Sequence, residues 1–392
     1  MRPVTVNAAA GELLTGGSRS LGELKHEVQR RADRGIPPLG GIAPEDARSA
    51  LAQIDSLSRE QWAQAWSNIA ERHLAQARSP AIGAQAAREH YWHAWRLHHF
   101  ARWPVENSPS RQHAKQRALE AFRNYGQLLD PPLEVVIIPF ENGEIVAYLR
   151  LPADVRPAPL IFGIAGLDSR KEDVAAYSDR YLRHGVGLFA VDLPGTGEAP
   201  LAPATPDADR MFSAALDYLA ARPEVDAARI VVQGRSWSGY WAAKLAHTER
   251  ARLRGAVMHG GPIHGYFQPE WLPQSLASSE YLYDYFPATA ALFGADSMED
   301  LLDRARRFSL LDSGLLDQPC APLLLVNGAR DSQIPVADVF LLLQHGDAKE
   351  AWVNPQGGHM GRSAAWPADA IFEHVVMPWM LRRLQAAPFP GV

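Results

Sequence analysis

The sequence predicts an α/β fold, a mostly parallel sheet flanked by helices, with a helical region ahead of it. Three observations predict it. Short apolar runs without alternation recur after the first third of the chain, separated by helical stretches, as parallel strands covered on both faces require. The first third has no strand signal and spaces its apolar residues helically. One apolar run, Ile230-Val231-Val232-Gln233, leads directly into Gly234-Arg235-Ser236-Trp237-Ser238-Gly239, which reads as a serine on a sharp strand-to-helix turn.

The 392 residues, 47% hydrophobic and 21% charged, can fill a large core in one elaborated domain or in two domains. A net charge of -5 and the lack of any Lys/Arg run argue against nucleic acid or an anionic membrane surface as partner. Cys320 is the one cysteine, so neither an internal disulfide framework nor a thiolate metal cluster is expected. A reducing compartment fits, and Cys320 itself reads as a small buried hydrophobe. Met1 to Gly17 has no basic segment followed by an apolar stretch. No apolar run approaches the roughly 20 residues that span a bilayer, so the expected location is cytoplasmic.

Within the first third, a break at Gly35-Ile36-Pro37-Pro38-Leu39-Gly40-Gly41 closes an initial helix. Ser58-x-x-Gln61 then resembles a capping box ahead of Trp62, Trp66, Ile69 and Leu74. Ser79-Pro80 and Trp103-Pro104 divide the later helices. Tyr91, Trp92, Trp95, His99 and Phe100 form an aromatic face; its ordinary reading is helix packing, and its functional reading is a border on substrate.

The texture changes at Asp130-Pro131-Pro132, so residues 1–130 are read as a helical cap or dimerisation region and 131–392 as the sheet-bearing core. Leu133 to Ile138 and Glu144 to Leu149 flank Glu141-Asn142-Gly143 in the manner of a β-hairpin. Further strands are expected at Leu160–Gly163, Val186–Val191, Ile230–Val232, Gly255–Met258, Pro322–Val326 and Ala351–Val353. The aromatic and helical interval 265–318 interrupts this rhythm and reads as a cap insertion.

Sites in open parallel sheets lie beyond the carboxyl ends of the strands. Ser236, Asp331 and His359 each follow an apolar run there, in the Ser, Asp, His chain order of the α/β-hydrolase fold. A hydroxyl becomes a nucleophile when an imidazole takes its proton, and a carboxylate must hold that imidazole in the right tautomer. Ser236 is preferred to Ser238 because Gly234 and Ser238 supply small neighbours two residues away, whereas a Ser238 nucleophile would put Tyr240 there. Asp303 and Asp312 are rival acids, but neither follows a strand. His247 reads as a helix-surface residue, while His259 and His264 follow a strand and are candidate substrate contacts. Oxyanion donors are expected from the N–H of Trp237 and from Leu167 or Gly166. Asp192-Leu193-Pro194-Gly195-Thr196-Gly197-Glu198 resembles a phosphate cradle but lacks its lysine, so it reads as a structural turn.

Gly166-Leu167-Asp168-Ser169-Arg170-Lys171-Glu172, Val191 to Glu198, Gly234-Arg235-Ser236 and the helical segment Tyr91 to Tyr125 together resemble the FrsA-like esterase and dihydroxypseudooxynicotine hydrolase family. The resemblance implies an α/β-hydrolase core with an N-terminal helical cap, a homodimer, and chemistry without a metal or organic cofactor. It also suggests Glu270 as a substrate-binding carboxylate. Ser238 in place of glycine, Met258-His259 before Gly260-Gly261, and the bulky Trp237 are departures through which substrate choice could differ.

The expected function is hydrolysis through an acyl-enzyme, acting on a small acyl or ketone substrate. Family resemblance points to a C–C bond beside a carbonyl in an aryl ketone, β-diketone or polyketide-like molecule. A carboxylesterase or thioesterase would use the same residues, and a non-catalytic hydrolase-fold binding protein is the alternative from another class.

Overall fold

A computed structural model describes residues 11–385; the outer ends of the two expected regions, residues 1–10 and 386–392, lie outside the described residues. The chain divides into two units. One comprises residues up to Leu133 together with Leu276–Ala288, and the other Glu134–Ser275 with residues from Thr289 onward.

The first unit is built from α1 (Leu21–Asp33), α2 (Pro44–Leu51), α3 (Arg59–Ala77), α4 (Ala84–Arg102) and α5 (Pro109–Gln127). A reciprocal capping box starts α1, where Glu23 accepts the N–H of Ser20 at 2.8 Å and Ser20 Oγ accepts that of Glu23 at 3.4 Å. Only half of the box expected before α3 forms. Ser58 Oγ accepts the Gln61 N–H, but Gln61 Oε1 accepts N–H groups of Asp55 and Ser56 instead of Ser58. The aromatic face of α4 is packing: Phe100 meets Trp66 edge-on at 4.7 Å between centroids, and Trp95 meets Phe122 at 4.8 Å. Residues 276–288 of the expected 265–318 insertion belong to this unit. Asp284 anchors them, its fully buried carboxylate accepting from Arg111 Nη1 at 2.8 Å, Arg59 Nη2 at 3.0 Å and the Leu14 N–H at 2.8 Å. Burying a charge requires such pairing.

The second unit begins with a hairpin of β1 (Glu134–Phe140) and β2 (Gly143–Arg150). Phe140 pairs with Gly143, so Glu141 and Asn142 alone make the turn, Glu141 at φ 50°, and the expected turn residue Gly143 starts the strand. There follow β3 (Ala158–Ile164), α6 (Lys171–Ala175), α7 (Asp179–Leu182), β4 (Gly187–Val191), α8 (Arg210–Ala220), β5 (Val225–Arg235), α9 (Gly239–Thr248) and β6 (Gly255–His259). Then come α10 (Leu272–Leu276) and α11 (Tyr285–Phe293), within which the chain passes to the first unit and back, followed by α12 (Met298–Arg306), β7 (Leu323–Gly328), α13 (Ala337–Gln344), β8 (Glu350–Asn354), α14 (Ala368–Ile371) and α15 (Met377–Gln385).

The sheet runs β1-β2-β4-β3-β5-β6-β7-β8. The β1/β2 and β2/β4 pairs are antiparallel and the other five parallel. Every residue of β3, β4, β6 and β7 is buried, because helices cover both faces. On one face Ile161, Val231, Val257 and Val326 pack with Trp379 and Met380 of α15. Each such side chain contributes about 1.5–3 kcal/mol by leaving water.

Two expectations change. His247 on α9 is buried, not on the surface; its Nδ1 lies 3.0 Å from the Gln318 carbonyl, and burial holds its pKa below the usual histidine value. Cys320 is only half-buried.

Candidate active site

Parallel register brings the carboxyl ends of β3, β5, β6, β7 and β8 to one edge of the sheet: Ile164 lies beside Gly234, Arg235 beside His259, and Gly328 beside Asn354. The loops leaving these strands carry most of the residues singled out in the sequence. At the end of β5, Ser236 adopts φ 54°, a left-handed conformation that costs a non-glycine residue energy and persists only when its surroundings impose it. Gly234 is one such constraint, since a Cβ there would sit 2.1 Å from the Ser238 carbonyl oxygen. Ser238 is another. Its buried hydroxyl accepts the Arg235 N–H at 2.8 Å and lies 2.8 Å from the Ile164 carbonyl, so this departure from glycine braces the turn instead of facing a ligand.

Ser236 Oγ lies 2.8 Å from His359 Nε2. On the far side of the ring, His359 Nδ1 donates to Asp331 Oδ2 at 2.8 Å, a bond whose direction follows from a carboxylate being able only to accept. Asp331 Oδ1 accepts the N–H groups of Gln333 at 2.8 Å and Ile334 at 3.0 Å. Burial pushes the Asp331 carboxyl up, but the His359 charge and these three hydrogen bonds outweigh it and hold the pKa below the usual aspartate value. Ser236, His359 and Asp331 thus form one continuous hydrogen-bonded line, with Asp331 and His359 buried and Ser236 partly open.

The loop after β3 lies against the serine, because a Cβ on Gly166 would come 3.8 Å from Ser236 Cβ. The Gly166 N–H is already given to Ser169 Oγ at 2.7 Å, which removes Gly166 as an oxyanion donor. Leu167 remains; its carbonyl is held by Arg170 Nη1 at 3.1 Å. Beside the serine, the indole of Trp237 is buried among Tyr240, Phe267, Phe293 and Phe308, with centroids 5.6–6.0 Å away. Trp237 therefore offers the site its backbone.

None of the three tentative substrate contacts is joined to this line by its side chain. Glu270 is exposed, and its carbonyl accepts from Gln274 Nε2 at 2.6 Å. His264 Nδ1 lies 2.7 Å from Ser309 Oγ, in the stretch following α12. His259 is buried, and its Nε2 lies 2.8 Å from the Met360 carbonyl. The two histidine side chains are spent on structure, and the loop that leaves β6 is itself pinned: Asp338, buried on α13, accepts N–H groups from Ile263 at 2.8 Å and Gly265 at 2.7 Å. Burial raises the Asp338 pKa, and those same bonds oppose the rise.

Sequence reasoning missed the lysine of the Asp192–Glu198 loop, which arrives from elsewhere in the chain. Lys171 Nζ, fully buried, lies 3.0 Å from Asp192 Oδ2, 2.6 Å from Glu198 Oε2 and 3.2 Å from Glu172 Oε1. Burial opposes its charge, but Asp192 and Glu172 raise the Lys171 pKa well above the ordinary value. Burial also raises Glu172 toward its neutral form, while Lys171 outweighs burial at Asp192 and keeps it ionised. Lys171 and Asp192 each lie in a family-like block, Gly166–Glu172 and Val191–Glu198, which was the one available signal. The loop is a structural turn, in which Asp192 occupies the space where a Gly197 Cβ would stand. Among the described residues no group of three His, Cys, Asp or Glu side chains could hold a metal ion.

Sheet, helices and strand-end loops define a hydrolase of the α/β-hydrolase type. The chain belongs to the FrsA-like family, whose model, described as Esterase FrsA-like, matches residues 53–355. It is 27% identical over 335 residues to Esterase FrsA of Vibrio vulnificus (strain YJ016), covering 79% of each chain. It is 26% identical over 382 residues to the hydrolyase poxO of Penicillium oxalicum, covering 82% of this chain and 88% of that one. Its fold resembles the crystal structure of 2,6-dihydroxy-pseudo-oxynicotine hydrolase, with a TM-score of 0.70 and 22% identity over 89% of this chain and 96% of that one. It also resembles wild-type AbyA5, with a TM-score of 0.72 and 24% identity over 93% and 94% of the two chains. No helix among the described residues is long and apolar enough to cross a membrane.

Proposed function

We propose that the protein is a serine hydrolase in which Ser236 attacks a carbonyl carbon, His359 takes the serine proton, and Asp331 holds the imidazole and stabilises its cation. The observation carrying this reading is the pair of 2.8 Å contacts from His359 to Ser236 and to Asp331. The N–H groups of Leu167 and Trp237 receive the oxyanion of the tetrahedral intermediate. Collapse of that intermediate expels the leaving group, which takes the proton from His359 and leaves Ser236 acylated. Water, deprotonated by His359, then releases the acid.

The bond broken is proposed to be a C–C bond beside a carbonyl, in an aryl ketone, β-diketone or polyketide-like molecule. The leaving carbanion must then be delocalised into an adjacent ring or carbonyl before it is protonated. This choice rests on the family resemblance. The relatives named Esterase FrsA favour a second reading, hydrolysis of a carboxylic ester or thioester by the same residues. A homodimer acting in the cytoplasm completes the proposal; it rests on the resemblance and the single cysteine, and sedimentation equilibrium tests the dimer.

Labelling by a fluorophosphonate probe tests the nucleophile: wild type should label and Ser236→Ala should not. An unlabelled wild type would instead favour a binding protein without catalysis. Product analysis on paired ester and β-diketone substrates separates the two bonds, since rapid ester turnover with an inert diketone would leave only the esterase reading.

A further inference from the structure

His359 opens a short turn held both by its own backbone, with Gly361 N–H donating to the Gly358 carbonyl and Gly358 N–H to the Arg362 carbonyl at 2.9 Å each, and by side chains from other elements. Met360, the next residue, adopts φ 60°, which a non-glycine residue keeps only under constraint. Both of its peptide groups are clamped: its N–H donates to Asn327 Oδ1 of β7 at 3.1 Å, and its carbonyl lies 2.8 Å from His259 Nε2 at the end of β6. The flanking carbonyls are taken as well, that of His359 by Arg362 Nε at 2.9 Å and that of Gly361 by Asn354 Nδ2 at 2.8 Å. His259 is the member of this set that crosses furthest in sequence, from the strand beside the serine elbow to the turn carrying the imidazole. A carbonyl can only accept, so His259 Nε2 carries the proton.

From this arrangement we infer that His259 is a positioning residue for His359: its Nε2–H bond to the Met360 carbonyl fixes the turn that presents the His359 imidazole to Ser236. The inference rests on the Ser236–His359–Asp331 reading and assigns His259 no contact with substrate. The group suits the task because it stays a neutral donor. Burial, then the charges of Arg235, His359 and Arg362, hold its pKa down at about 3, against the opposing pull of the Met360 carbonyl. A second imidazolium therefore does not form beside His359 at working pH.

The test compares His259→Gln, whose amide can place an N–H near the position of Nε2, with His259→Asn, whose amide is too short, and His259→Leu, which has no donor. The full-length protein is labelled with a fluorophosphonate probe, and the second-order rate constant is followed against pH. The Asn and Leu variants should label about 10- to 100-fold more slowly, the range by which outer-shell partners act on the groups they orient. The acidic limb of their profiles should move as well, because the imidazole is no longer held against Asp331. His259→Gln should recover to within about threefold of wild type and restore the limb.

Equal rates in all three variants, or equal losses with an unmoved pH limb, would overturn the inference and leave His259 as packing. If His259→Leu does not fold, the Gln and Asn pair carries the comparison. Ser236→Ala run in parallel separates the two levels. A Ser236→Ala protein that still labels removes the underlying triad reading, whereas a silent Ser236→Ala protein with unaffected His259 variants removes only the role of His259.

Discussion

Ser238 Oγ lies 2.8 Å from the carbonyl oxygen of Ile164, tying the turn after β5 to the last residue of β3. The hydroxyl also accepts the Arg235 N–H, so the residue that departs from the usual glycine connects the nucleophile's turn to the loop of Leu167. Ser238→Ala keeps the Cβ and removes both bonds inside a fully buried site. It should cost about 1–3 kcal/mol, the penalty for orphaned buried polar groups, seen as a lower urea midpoint. A midpoint equal to wild type would mean that the turn does not depend on this brace.

Asp331→Asn should preserve the fold, because an amide oxygen can still accept from Gln333 and Ile334. Its NH2 would face His359 Nδ1, however, and force the tautomer that points a proton at Ser236. Turnover or probe labelling should fall about 10³- to 10⁴-fold with an unchanged circular dichroism spectrum. A loss of less than tenfold would count against the proposed role of Asp331.

Lys171→Met would leave Asp192 and Glu198 facing each other without their cation. Removing one partner of a buried ion pair costs about 3–5 kcal/mol, and denaturant unfolding should report a loss of that size. The backbone N–H at position 171, bonded to Asp192 Oδ1 at 2.7 Å, is kept in the variant, so the loss reports the ammonium group. A near-normal midpoint would show that the carboxyl groups take up protons and relax instead.

Acid should destabilise the protein partly through His259. Its folded pKa of about 3 lies below the ordinary 6.5, so the unfolded chain binds this proton first as pH falls. The stability contributed by the neutral ring is present above 6.5 and is lost progressively down to about 3, at about 1.4 kcal/mol per pH unit. His259→Gln should flatten the fall in urea midpoint between pH 6 and pH 4. An equally steep fall in that variant would assign the effect to other buried histidines, such as His247.

By itself the sequence determined the order of strands and helices and the points where chemistry could sit. Continuous apolar runs identify buried parallel strands locally, and a chain leaving such a strand must emerge at the carboxyl edge of the sheet. Ser236, Asp331 and His359 were legible for that reason, as was the packing role available to Trp66, Trp95 and Phe100. Only the tertiary structure decided what neighbouring side chains do there. Gly166 lost its N–H to Ser169, Ser238 became a brace, Lys171 supplied the cation that the Asp192 loop lacked, and His259 turned from a substrate candidate to a clamp on Met360. Residues 276–288 likewise joined the helical unit through Asp284. The physical reason is common to all five. Periodicity reports which face of an element is buried, whereas the partner of a buried polar group is set by register between strands and by where loops return, and these contacts join residues with no regular spacing in the chain.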